Sequence, residues 1–146
     1  MVRLYQEKDV ETILEVWYQA SLIAHPFLSE AFLEEERRNI RDLFLPNSQT
    51  WVEERQNKVV GFISLSGHEV GGLFVHPTWQ RQGVGKALMD QANSLHDSLE
   101  LDVFEANEQG RMFYAKYGFE PLYTFRDDTT GQMQIKLRYK GKKTNQ

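Results

Sequence analysis

Cysteine is absent from the 146 residues of this chain. The absence excludes a disulfide framework, a thiol nucleophile and every metal site built on thiolates. The spacing of the histidine and carboxylate residues does not resemble a metal site either, so we expect no metal. Any covalent chemistry must use other groups.

Long apolar runs and an excess of basic residues are also missing. No run approaches the roughly 20 residues of a membrane-spanning helix, and the N-terminal segment lacks the apolar core of a signal peptide. The formal net charge is -4, with 17 Lys and Arg against 21 Asp and Glu, which disfavours binding to nucleic acid phosphates. We therefore expect a cytoplasmic protein that has neither a nucleic acid nor a membrane as a partner.

The composition is that of one folded unit. Hydrophobic residues make up 40% of the chain and aromatic residues 12%, which is enough to bury a single core at this length. We predict one domain over residues 1–139, followed by a polar C-terminal tail over residues 140–146.

Sequence periodicity predicts the order of helices and strands. Apolar residues at helical spacing predict a first helix over residues 8–24, which Pro26 interrupts, and a second over residues 30–44. Further helices are predicted over residues 83–95 and 107–117, and strands over residues 50–54, 59–65, 68–75, 99–104, 119–125 and 132–139. The order βααβββαβαββ indicates an α+β fold, a mixed and mostly antiparallel twisted sheet flanked by helices. The helix over 83–95 predicts a local parallel crossover.

A glycine-containing loop precedes the helix over residues 83–95. Gly83 and Gly85 allow a tight turn that points backbone N–H groups outward at the positive end of the helix dipole, which is a phosphate-binding arrangement. Arg81 and Lys86 add positive charge and suit a pyrophosphate. A Walker A loop would need glycine at Gln80, and a dinucleotide-binding loop would need glycine at position 88. Neither is present.

What remains is the pattern Q/RxxGxG/A, which Gln80, Gly83 and Gly85 match. This pattern resembles the coenzyme A pyrophosphate loop of the GNAT acetyltransferase superfamily. Residues 107–119 resemble its second motif, NxxAxxFYxxxGF, with Gly110 in place of the usual alanine. Because two separate segments fit in the right order, the chain is identified as a member of this superfamily. It is most similar to small bacterial members of the YiaC and YjaB kind, which share a short HPF-like segment after the first helix.

The resemblance implies a GNAT fold and transfer of an acetyl group from acetyl-coenzyme A to a primary amine, without a metal. It implies direct attack in a ternary complex, with a protein lysine side chain as the preferred acceptor. The alternatives are a small-molecule amine acceptor and a non-catalytic module that senses acyl-coenzyme A. We expect a monomer or a homodimer.

The resemblance also assigns site residues. The expected cofactor contacts are Leu73, Phe74, Val75, Arg81, Gln82, Gly83, Val84, Gly85, Lys86, Asn107 and Tyr114. Gly71 and Gly72 would supply a kink that opens the strand edge for the pantetheine arm, or an ordinary bulge.

Tyr114 is the expected general acid, which returns a proton to the coenzyme A thiolate. The alternative is that Tyr114 only packs its helix against the sheet. For Asn107, the role of helix N-cap alone is the alternative to a cofactor contact. The candidates for the general base are Glu69, His25 and His68. His25 and Phe27 are expected to border the amine pocket, since Pro26 breaks the first helix there.

Overall fold

The computed structural model describes residues 1–141. Its seven strands form one sheet in the order β1-β2-β3-β4-β5-β7-β6. The strands are β1 (Val2–Leu4), β2 (Gln49–Arg55), β3 (Lys58–Ser66), β4 (Glu69–Val75), β5 (Ser98–Phe104), β6 (Glu120–Arg126) and β7 (Met133–Lys140). The helices are α1 (Val10–Ala24), α2 (Glu30–Asn39), α3 (Leu45–Asn47), α4 (Val84–Leu95) and α5 (Glu108–Tyr117), with a π-helical segment over Ile40–Phe44.

This order of elements confirms the predicted fold. Every strand pair is antiparallel except β4 with β5, so the predicted crossover around α4 is also confirmed. Most boundaries differ from the prediction by one residue, and the predicted second helix is α-helical only to Asn39, before the π-helical segment. A 3₁₀ turn over Glu7–Asp9 precedes α1, and Lys140, which was assigned to the tail, is the last residue of β7. Residues 142–146 of the predicted tail lie outside the described residues.

The helices cover opposite faces of the sheet. Ile63 of β3 packs in the core under α4, whereas its neighbour Phe62 packs in the core under α1. Because successive side chains of a strand point to opposite faces, α1 and α4 must lie on different sides. The sheet is therefore the middle layer of the fold.

The middle of the sheet contains a bulge and an opening. Ser64 of β3 pairs with Gly72, but Leu65 pairs with Val70, which leaves Gly71 as the extra residue of a β-bulge. The parallel pairing of β4 with β5 covers only Glu69 and Val70. Beyond Val70 the two strands separate, and the edge of β4 toward Val75 is unpaired on that side. The predicted bulge is confirmed, and it lies at the start of the opening.

In the part of the chain that the structure describes, no helix has the length and apolar character needed to cross a bilayer.

Candidate functional site

The separation of β4 from β5 opens a cleft of about 1510 Å³. Helices α1, α2 and α5 and the loop before α4 contribute to its walls. The predicted site residues that line it are His25, Glu69, Leu73, Phe74, Val75, Arg81, Gly83, Gly85, Lys86, Asn107 and Tyr114. Motifs that are far apart in the sequence therefore meet at one cleft.

Four residues proposed from the sequence do not line this cleft. The side chain of Gln82 donates to the carbonyl of Thr78 at 3.1 Å, and the side chain of Val84, the first residue of α4, is buried in the core, so only their backbone groups can serve the loop. Phe27 packs edge-on against the His25 ring and reaches the cleft only through such ring contacts. His68 is exposed and lies outside the lining, which makes it a poor base candidate.

The loop before α4 has the backbone geometry that an anion site needs. Gly83 is the N-cap of α4 and has φ +82, a left-handed conformation that glycine adopts without strain. At Gly85, a Cβ would lie 3.2 Å from the ring of Phe113, so this glycine allows α5 to pack closely against α4. The backbone conformation therefore explains the glycine at position 83, and helix packing explains the glycine at position 85.

Two basic side chains near this loop differ in whether they have an ion-pair partner. Lys86 forms an ion pair with Asp90 one turn along α4, with 2.7 Å between Nζ and Oδ2. Arg81, in contrast, has no hydrogen-bond or ion-pair partner within residues 1–141. Its guanidinium is therefore free to bind an anion at the positive end of α4.

Two side chains hold this loop through hydrogen bonds that were not predicted from the sequence. Arg55 of β2 donates from Nη1 to the carbonyl of Gln82 at 2.7 Å, and its Nε bonds buried Glu53 at 3.1 Å. Gln80 donates to the carbonyl of Val75 at 3.1 Å and accepts a hydrogen bond from Gln109 of α5 at 3.1 Å. Gln80 belongs to the motif and its role could have been expected, but Arg55 lies on a distant hairpin.

Tyr114 lies on the face of α5 that lines the cleft. Its ring packs edge-on against Phe113 and Phe119, while no residue in 1–141 hydrogen-bonds its hydroxyl. Burial raises the pKa of Tyr114 to about 12. The hydroxyl therefore stays protonated at neutral pH and is available as a proton donor inside the cleft.

His25 follows α1 and lies among aromatic rings. The ring centroids of Phe27, Phe74 and Phe104 are 5.8, 6.4 and 5.0 Å from its own. Burial lowers the pKa of His25 to about 4, so the imidazole is neutral at physiological pH. A base this weak is poorly matched to an ammonium with a pKa of about 10.4. The geometry therefore favours His25 as a wall of the cleft over His25 as the base.

Asn107 is the N-cap of α5, as the sequence predicts. Its Oδ1 accepts a hydrogen bond from the backbone N–H of Gly110 at 3.0 Å, which satisfies one of the free donors of the first turn. The N-cap prediction is confirmed. The side chain also reaches across the cleft, with its Nδ2 3.5 Å from Nε2 of His25.

Glu69 belongs to a group of three charged side chains. Lys136 of β7 lies between Glu69 and Asp102, with Nζ 3.2 and 3.1 Å from their carboxylates. Burial disfavours the Lys136 ammonium, but the hydrogen bonds to Asp102 and Glu69 outweigh it, so the pKa of Lys136 lies above its ordinary value. Two carboxylates share one cation here, which leaves a net negative charge.

Asp102 and Lys136 were not among the predicted residues. The alternation of buried Leu101 and Val103 along β5 does place Asp102 on the other face, which is a signal that sequence reasoning can use. Its meeting with Lys136 follows from the pairing of Asp102 with Lys136 in the register of β5 and β7. No local pattern shows that register.

Two further carboxylates, Glu36 of α2 and Asp127 after β6, line the cleft. The pKa of Glu36 is raised, chiefly by burial and then by the negative charges of Glu35 and Asp127. Within residues 1–141, no group of three or more His, Asp or Glu side chains is arranged to hold a metal ion.

Comparisons with known proteins agree with this geometry. The family model described as an acetyltransferase (GNAT) domain matches residues 46–121. Over 120 residues the chain is 35% identical to the peptidyl-lysine N-acetyltransferase YiaC of Escherichia coli and 34% identical to YjaB of Salmonella typhimurium, covering 82% of each chain. The solution structure of apo YjaB from Escherichia coli has a TM-score of 0.86 at 31% identity and covers 97% of both chains.

The family match spans more than half of the chain, and these relatives are of the kind that the two motifs predict. The loop, the bulge and the open edge of β4 lie where those motifs require them. The chain belongs to the GNAT acetyltransferase family.

Proposed function

We propose that this acetyltransferase moves an acetyl group from acetyl-coenzyme A to a primary amine, with a protein lysine side chain as the preferred acceptor. One observation carries the proposal. The cleft between β4 and β5 joins a glycine loop at a helix N-terminus to an unpaired strand edge and a protonated tyrosine. These are the parts that binding and cleaving this thioester need.

The glycine loop and the open strand suit the two parts of coenzyme A. Backbone N–H groups around Gly83 and Gly85, with free Arg81, would bind the pyrophosphate. The pantetheine arm would lie along the edge of β4 over Leu73, Phe74 and Val75, which has no partner strand on the side of the opening, much as a peptide adds to a sheet edge.

The reaction then needs no covalent enzyme intermediate. The amine nitrogen attacks the thioester carbonyl, a C–N bond forms and the C–S bond breaks. Backbone N–H groups near Phe74 stabilise the developing negative charge on the carbonyl oxygen. Tyr114 gives its proton to the departing thiolate, and the proton lost by the amine passes through water to Glu69.

The charges of the cleft support a cationic acceptor. Arg81 lies in the loop after β4, whereas Glu69 begins β4, so the two lie at opposite ends of a strand about 20 Å long at roughly 3.3 Å per residue. Asp102, Glu36 and Asp127 add to the negative charge of the lining. A lysine ammonium is attracted to such a surface before it loses its proton. The relatives YiaC and YjaB are named peptidyl-lysine N-acetyltransferases, which agrees with this acceptor. The cytoplasmic location and the monomeric or dimeric state stay predictions.

A panel of acceptors tests the function. Purified protein is incubated with acetyl-coenzyme A and lysine peptides, peptides with only a free α-amine, or small amines, and both free thiol and acetylated product are measured. We expect the lysine peptides to turn over fastest and acetyl-coenzyme A to raise the melting temperature by mass action. Turnover of small amines alone would support the small-molecule alternative. Binding without turnover of any amine would support the sensor.

The pH dependence of turnover follows from the raised pKa of Tyr114. A general acid acts in its protonated form, so a pKa of about 12 keeps Tyr114 competent well above neutral pH. We expect kcat, measured with both substrates saturating, to show no falling alkaline limb up to about pH 10. A fall with a midpoint between about pH 8 and 9 in a stable enzyme would contradict this role, since an acid with so low a pKa cannot be the buried tyrosine.

A further inference from the structure

Gly110 occupies a position where the second family motif usually has alanine. A Cβ at this position would lie 2.5 Å from Nδ2 of Asn107 and 3.0 Å from its Cγ. These distances are too short for real contacts, so an alanine would force the Asn107 side chain to move. The glycine therefore makes room for the side-chain conformation that Asn107 adopts.

That conformation fixes the direction of the Asn107 amide. Its Oδ1 accepts from the Gly110 N–H at 3.0 Å, so Nδ2 is the group that points toward His25, at 3.5 Å from Nε2. An amide nitrogen only donates hydrogen bonds, and Nε2 must then accept. The contact therefore requires a neutral His25 with its proton on Nδ1.

Within residues 1–141, the groups around His25 do not compete with Asn107 for its ring nitrogen. The rings of Phe27, Phe74 and Phe104 surround the imidazole edge-on. Within residues 1–141, Asn107 is the only side chain that hydrogen-bonds the ring, and no carboxylate forms an ion pair with it. Burial alone keeps the imidazole uncharged.

We propose that Asn107, in the space that Gly110 leaves, is a positioning residue that holds His25 in the Nδ1–H form. Through this contact it couples the wall of the cleft at His25, where the amine would bind, to helix α5, which carries the cofactor contacts. His25 ends α1 at the junction with α2, and Asn107 begins the helix that carries Tyr114. One side chain thus joins the two walls of the cleft. The effect on acceptor choice rests on the proposed function, whereas the state of the His25 ring does not.

Three variants test the state of the ring by ¹⁵N and ¹³C NMR of the histidines across pH. In the parent we expect the Nδ1–H tautomer of His25 and no protonation until the pH approaches about 4. Gly110→Ala displaces the amide, and Asn107→Ser keeps a good N-cap but is too short to reach His25. Both variants should change the ¹⁵N and ¹³C signals of His25 that report its tautomer. Asn107→Asp keeps the cap and places a carboxylate oxygen toward Nε2, which favours the imidazolium and should raise the pKa of His25 by at least about one unit.

A parent His25 in the Nε2–H form, or a His25 spectrum that stays the same in both Gly110→Ala and Asn107→Ser, would overturn the proposal. These results do not depend on any acetylation. Failure of the proposed function would instead appear as a parent that acetylates no amine while the ring signatures behave as expected.

Kinetics test the coupling. Gly110→Ala and Asn107→Ser should each raise the KM for the lysine peptide about fivefold, the usual worth of one hydrogen bond. Alanine is the better helix former, which offsets the capping bond that the displaced Asn107 loses, so the melting temperature of Gly110→Ala should change little, and this separates the effect from unfolding. An acceptor KM within twofold of the parent in both variants would show that His25 is held without consequence for the acceptor, and the coupling would be wrong.

Discussion

Tyr114→Phe is expected to lower kcat by about 10²–10⁴-fold, the range typical of a general acid. The phenolic hydroxyl is the only group that the substitution removes, and no residue in 1–141 hydrogen-bonds it. The ring contacts with Phe113 and Phe119 stay in place. The dissociation constant for acetyl-coenzyme A and the melting temperature should therefore change little.

A matched control uses the same chemical change elsewhere. Tyr123 of β6 is 56% exposed and lies outside the cleft lining, so Tyr123→Phe should leave kcat unchanged. Initial rates with both substrates saturating, calorimetric titration with acetyl-coenzyme A and thermal melts of both variants provide the three comparisons. A loss of kcat below about tenfold for Tyr114→Phe would move the proton transfer to water or another group. A large fall in melting temperature would favour the packing role instead.

The order of elements was predictable because it depends on local patterns. Apolar spacing determines the helices, and glycine determines where a strand can bulge or a helix can begin. Gly71 is the bulged residue, and Gly83 is the N-cap of α4 in a left-handed conformation, as their neighbours in the sequence suggest. The position of Tyr114 in the cleft follows from the same kind of local motif.

Contacts between distant segments were not predictable. Asn107 and His25 are 82 residues apart, and their contact depends on how α1 and α5 lean over the opening between β4 and β5. Lys136 meets Glu69 and Asp102 only because of the register across three strands. The weak basicity of His25 has the same origin in part, since two of the three rings that surround it, those of Phe74 and Phe104, lie on other elements.

Gly83→Asp is expected to weaken acetyl-coenzyme A binding by at least about 100-fold. Gly83 is the N-cap of α4, so an aspartate there would place a carboxylate at the positive end of the helix, where the pyrophosphate would bind. The site has space for a side chain, because the only atom found within 4 Å of a Cβ there is Nη2 of Arg55, at 4.0 Å. Gly85 is a poorer choice, since its Cβ would press on Phe113.

Gly83→Asn is the matched control for this substitution. Asparagine and aspartate have the same shape and tolerate the left-handed conformation better than other side chains, so both variants carry the same backbone strain at φ +82. They differ in one negative charge. We expect Gly83→Asn to bind acetyl-coenzyme A within about tenfold of the parent, and calorimetric titration with a thermal melt of each free protein measures the difference. Equal loss of binding in both variants would assign the effect to crowding of the loop rather than to charge. If the aspartate variant also binds within about tenfold of the parent, the pyrophosphate does not lie at this loop, because a fixed carboxylate and a pyrophosphate cannot share one helix N-terminus without strong repulsion.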